Sequence, residues 1–130
     1  MSANTERFLR GVEALTRGDA AAVIDFVDAD AEFEPLRAAT EGTFHGHDGV
    51  REFLRDTRES FDLFEPDFQE VRDLDDEQVL ALGKIRIRGR GSGVETEVPT
   101  AVIAKIRDGR LVHFKDYGGR DAALSAAGLA

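Results

Sequence analysis

Cysteine is absent from the 130 residues, which excludes disulfides, thiolate nucleophiles and cysteine-ligated metals. Long apolar runs are also missing. The start, "MSANTERFLRG", carries none, so no signal peptide is expected. No later stretch approaches the roughly 20 apolar residues that a spanning helix needs. Basic charge is scarce: 17 Lys and Arg stand against 26 Asp and Glu, a net charge of −9. That balance opposes binding to nucleic acid or anionic lipid, so neither is expected as a partner. With no signal peptide or spanning segment expected, the expected location is the cytoplasm. What the chain does have is 42% hydrophobic and 33% charged residues. This is the composition of a soluble globular protein, and residues 1–130 are long enough for one domain with a core of its own.

Apolar spacing divides the chain into helices first and strands later. Phe8, Leu9, Val12 and Leu15 recur on one face of a helix from Thr5 to Arg17, with Asn4 as N-cap and Gly18 as stop. Asp19 should cap a second helix, "AAAVIDFV". "AEFEPL" reads as a strand interrupted by Pro35, and "EGTFHG" as a short strand or loop. Asp48 should cap a third helix carrying Val50, Phe53, Leu54, Thr57 and Phe61 on one face. After Pro66 the period becomes two, which predicts an antiparallel meander: "FQEVRDL", "QVLALGKIRIRGR", "VETEVPTAVIAKIR" and "RLVHFKDY". Gly91-Ser92 and Asp108-Gly109 fit two-residue hairpin loops. A last helix, "RDAALSAAGL", closes an α+β domain.

The stretches "LTRGDAAAVIDFVDADAEFEPL", "GTFHGHDGVREFL" and "IRDGRLVHFKDY" together resemble the SnoaL-like polyketide cyclase family, part of the nuclear-transport-factor-2-like superfamily. The resemblance runs over nearly the whole chain. It implies a curved mixed or antiparallel sheet wrapped around three to four helices, making a cone with an internal pocket. It also implies cofactor-free acid–base chemistry, of the cyclase, isomerase or dehydratase kind, on a small hydrophobic substrate. Relatives include non-catalytic ligand-binding and dimerisation modules, so whether the chain is an enzyme stays open.

Turn geometry sets the strand register and so the two faces of the sheet. The two loops place Leu82 opposite Ala101, Arg86 opposite Glu97, Arg88 opposite Glu95, and Ala101 opposite Asp116. One face then carries Leu82, Arg86, Arg88, Glu97, Ala101, Ile103, Phe114 and Asp116. The other carries Val79, Ala81, Ile85, Ile87, Val102, Ala104 and Ile106. So apolar a face needs cover, and the expectation is a homodimer through it as the outer face. The Asp116 face then lines the pocket. A bulge at Pro99 would instead turn the Arg/Glu pairs outward.

Asp116 is the leading candidate for catalysis, because "FKDY" is similar to the aspartate contexts of SnoaL-like cyclases and limonene-epoxide hydrolases. A carboxylate beside Phe114 and Ile103 loses hydration, which suits proton transfer. The alternative is a rim carboxylate bonded to backbone, or salt-bridged to Lys84 or Arg37. Glu34, in "FEP", resembles loosely the acid before proline of ketosteroid isomerases, with Glu32 nearly as good a match. Arg86 or Arg88 is the expected electrostatic helper, Arg86 being the one placed with the catalytic candidates. Pocket-lining candidates are Leu82, Arg88, Glu97, Ala101, Ile103, Phe114, Phe61 and His45. The positions matching the other isomerase groups are Gly11 and Ala101, which carry no polar side chain. His45 and His47 could share a metal, but no third ligand is placed by the sequence. No metal or cofactor is therefore expected, and the expected partner is a small hydrophobic molecule.

Overall fold

The computed structural model describes residues 2–36 and 42–129. The elements run α1 (Ala3–Thr16), α2 (Ala20–Phe26), β1 (Val27–Glu34), β2 (Phe44–His45) and α3 (Gly46–Ser60). They continue with β3 (Phe61–Asp73), β4 (Gln78–Gly89), β5 (Glu95–Arg107), β6 (Arg110–Asp116) and α4 (Arg120–Ala126). The strands form one mixed sheet in the order β2-β1-β6-β5-β4-β3. Only β1 and β6 pair in parallel; the other neighbours are antiparallel. The sheet curves around α1, α2 and α3, and α4 packs behind it. No helix among the described residues is long and apolar enough to cross a membrane.

Several boundaries differ from the sequence reading for local reasons. Ser2, not Asn4, caps α1 by accepting from the Thr5 N–H, while the Asn4 amide donates to the Asp76 carbonyl. Asp19 caps α2 as expected. His45 occupies the N-cap of α3, and Asp48 sits inside its first turn. There its charge still favours the helix N-terminus. Phe61 begins β3 instead of ending the helix, and β3 runs on through Pro66. Proline is tolerated because β3 is an edge strand, with one side free of ladder bonds.

The β4–β5 register is the expected one, with Leu82 opposite Ala101, Arg86 opposite Glu97 and Arg88 opposite Glu95. It passes Pro99 without a bulge. The β5–β6 hairpin also starts as expected. Asp108 and Gly109 both take positive φ, 53° and 80°, the conformation that matches the twist of the flanking strands. Arg107 faces Arg110 and Ile106 faces Leu111, but the next pairs are Lys105 with His113, Ala104 with Phe114 and Val102 with Asp116. One extra residue, Val112, has entered β6. Because side chains alternate, that bulge moves Phe114 and Asp116 to the opposite face from the one expected.

The face assignment is itself reversed. Val79, Ala81, Val102, Ala104 and Ile106 pack with Phe8, Phe33, Val50 and Phe53 in the main core, against the helices. The reason is intramolecular: the apolar stripes of α1 and α3 need an apolar surface, and this face is the most apolar available. Ile85 and Ile87 share it and line the space between sheet and helices. The outer face carries a smaller cluster, Leu80, Leu82, Ala101 and Ile103, covered by Ala123, Leu124 and Ala127 of the α4 region. Beyond it the outer face is charged. Lys84 pairs with Glu97 at 3.1 Å, and Arg86 with Glu65 at 3.1 Å and Glu95 at 3.6 Å.

Candidate functional site

Between the concave sheet face and the helices lies a cavity of about 220 Å³. For scale, an apolar cavity of ~150 Å³ is enough to admit benzene. Phenylalanines dominate its wall. Phe33 stacks on Phe114 with centroids 4.6 Å apart, and Phe53 meets Phe33 edge-on at 4.8 Å. Phe61 and Phe64 continue the series at 5.8 Å, and Phe8 and Phe68 at 5.5 Å. α1 contributes Val12 and Leu15, β4 contributes Ile85 and Ile87, and Pro35 and Leu36 stand where β1 ends.

Among the described lining residues, only Thr100 and Asp116 have polar side chains. They touch each other. The Thr100 hydroxyl donates to Asp116 Oδ2 at 2.6 Å. Asp116 Oδ1 accepts from the backbone N–H groups of Ala101 at 3.1 Å and Gly118 at 2.9 Å. Thr100 is buried, and Asp116 is half-buried at the cavity wall. The carboxylate is thus both a brace joining the end of β6 to β5 and the only ionisable group among the described residues on the wall. Of the two cations expected as possible partners, only Lys84 lies among the described residues, and it does not take that role. Lys84 is engaged by Glu97 on the outer face, and Arg37 lies outside the described residues.

The other candidates divide by face. Phe61, Phe114 and Asp116 line the cavity. Leu82, Ala101 and Ile103 belong to the outer cluster, because β4 and β5 present their other side chains inward. Arg86, Arg88 and Glu97 lie on that outer face too, and the side chains of Arg86 and Glu97 are 47% and 52% exposed. Among the described residues, no cation lines the cavity. Glu34 also points away from it, since its neighbour Phe33 fills the core, and its Oε2 lies 2.7 Å from His113 Nε2. His45 is exposed on the outer side of β2, while Phe44 faces inward. His47 is occupied elsewhere, 2.6 Å from the Val27 carbonyl, so it does not pair with His45 on a metal.

Thr100 was the residue not singled out. Its signal was available: it has the parity of Val98 and Val102, a lone hydroxyl in the run "VPTAVIA". Gly11, the position where an isomerase would carry a polar group, does line the cavity. A Cβ there would lie 2.8 Å from the Phe26 ring, so that phenylalanine occupies the space a larger residue would need.

A family model, the SnoaL-like domain, matches residues 6–114. The chain belongs to the SnoaL-like family. Solved structures agree on the fold of this SnoaL-like chain. A nuclear-transport-factor-2-like protein of unknown function from Burkholderia pseudomallei superposes with a TM-score of 0.81 at 22% identity, covering 96% of this chain and 97% of that one. TerC, co-crystallised with polyporic acid, gives 0.80 at 18% identity, covering 98% and 99%. A protein assigned as a SnoaL-like polyketide cyclase from Shewanella denitrificans gives 0.78 at 19%, covering 89% and 90%. Identities this low establish shared architecture and leave the chemistry to the residues of each cavity. No curated protein shows significant sequence similarity to the chain.

Proposed function

We propose that this SnoaL-like protein takes a small, largely apolar molecule into its cavity and performs cofactor-free acid–base chemistry on it, with Asp116 moving the proton. The observation that carries this reading is one carboxylate, held by the Thr100 hydroxyl, on a wall whose other described side chains are apolar. Such a wall selects ring-bearing or branched apolar ligands and keeps bulk water from the reacting atoms. The second lone pair of Asp116 Oδ2 is the natural acceptor for a proton beside a ligand carbonyl or hydroxyl. Thr100 and the two backbone N–H groups fix the carboxylate for that transfer and supply no second acid or base. Proton removal and return would therefore both use Asp116. TerC, a fold neighbour, was co-crystallised with a small molecule, polyporic acid.

A second reading is ligand binding without turnover. It is favoured by the three donors that already engage Asp116, a pattern that a purely structural carboxylate would share. The experiment is calorimetric titration with uncharged two-ring phenols and quinones, beginning with 1-naphthol, followed by product analysis of each compound that binds. Binding at one molecule per chain, lost in Ile87→Trp, is expected. Turnover should be abolished in Asp116→Asn with binding preserved. Binding with no change in any ligand would select the second reading. Absence of binding across the panel would remove both.

A further inference from the structure

The outer face of the sheet carries a cluster that plays no part in the cavity. The parallel pairing of β1 with β6 sets Glu32 beside His113, and the antiparallel pairing of β1 with β2 sets Glu32 opposite His45. Cross-strand partners share a face with Cβ atoms about 5 Å apart. His45, Glu32 and His113 therefore form one row across three strands, with Glu34 next to it along β1. One ligand atom each from Glu32, Glu34 and His113 lie within 4.8 Å of one another.

We propose that this row is a site for a divalent transition-metal ion, held by His113, Glu32 and Glu34 and completed by His45. Ligand atoms about 2.0–2.2 Å from one ion stand roughly 3–3.5 Å apart. The observed spacing of Glu32, Glu34 and His113 thus needs only side-chain rotation, on a backbone already fixed by two ladders. Two imidazoles and two carboxylates suit zinc and its neighbours in the first transition row, and not magnesium, which prefers oxygen alone.

The charges around the row also leave it open to a cation. Glu32 makes no ion pair or side-chain hydrogen bond among the described residues, although a second carboxylate lies within the same group. The two described lysines beside the row are engaged elsewhere. Lys105, opposite His113, reaches Glu77 at 3.7 Å. Lys115, opposite Glu34, sits 5.0 Å above the Tyr117 ring. Among the described residues, His113 is the one side chain that contacts the acids, through Glu34.

Sheet alternation accounts for why the linear sequence hid this row. The four residues are spread from position 32 to position 113, and the close pair His45 and His47 divides, His47 reaching the Val27 carbonyl while His45 lies exposed on β2. Being on the far side of the sheet from Asp116, the row is separable from the cavity in any measurement.

The test is calorimetric titration of the tag-free chain with zinc chloride. The expected result is one ion per chain, with affinity falling at least tenfold in His113→Ala and in Glu32→Gln, and falling also in His45→Ala. Glu95→Gln, which removes an outer-face carboxylate at the other end of the sheet, should leave it unchanged. Magnesium in millimolar excess should not compete. These side chains are exposed or half-buried, and unchanged circular dichroism of each metal-free variant would establish that it folds. No zinc binding, full affinity in either histidine variant, or an equal loss in Glu95→Gln would overturn the proposal.

Discussion

At Asp116, chemistry and structure ask for different things, and substitutions can separate them. Asparagine keeps an oxygen for the Ala101 and Gly118 N–H groups. Its amide can donate to Thr100, whose hydroxyl rotates to accept. Asp116→Asn is therefore expected to change stability by less than about 1 kcal/mol while removing the proton acceptor. Alanine leaves two backbone donors and a buried hydroxyl without their partner. Asp116→Ala should lose at least about 1–3 kcal/mol in urea denaturation. Equal losses for the two variants would contradict the assigned bonds.

Elements are held by close approaches as much as by ladders. Gly83 in β4 has ordinary backbone angles, yet a Cβ there would lie 2.0 Å from the Asp67 carbonyl oxygen. That contact falls where β3 shifts register, between Phe68 and Glu70. A bare backbone lets the edge strand press in and bend, which helps curl the sheet around the helices. Gly83→Ala should force the strands apart and cost about 1–3 kcal/mol or more, measured as a lower denaturation midpoint. The Val112 bulge acts at the same scale. It places Phe114 on Phe33 and Asp116 on Thr100, and an unbulged β6 would send both side chains to the outer face.

Across the whole molecule the surface is acidic, and one exposed network shows how it is balanced. Arg107 and Lys105 both reach Glu77, next to the β3–β4 turn that Asp75 caps. The hydrogen bond from the Arg107 guanidinium, with its charge, holds the Glu77 carboxyl below the usual glutamate range. A lowered folded value means that the unfolded state takes up a proton first as pH falls. The contribution is thus complete above the unfolded value and disappears as pH drops through the folded one. The melting temperature of Glu77→Gln should fall below that of the parent at pH 7, with the gap closing in acid. A gap that stays constant or widens on acidification would exclude this ion pair as its source. Solvent screening at this half-exposed pair keeps the effect small.

The sequence by itself determined the family, the helix–strand order, the β4–β5 register and the type of turn at Asp108-Gly109. Each depends on local signals: periodicity, caps and turn residues, read over a few positions. It also singled out Asp116 as a pocket acid, although through two steps that offset each other. The faces were assigned in reverse, and the bulge at Val112, which no residue there advertises, returned Asp116 to the cavity side. Which face met the helices could be settled only by the helices themselves, because an apolar sheet surface serves a core and a subunit contact equally well. The outward positions of Arg86, Glu97 and Glu34 followed from that choice. The meeting of Thr100 with Asp116, and of Glu32 with His113 and His45, was decided by strand pairing. Residues far apart in the chain become neighbours through registers that one inserted residue can invert.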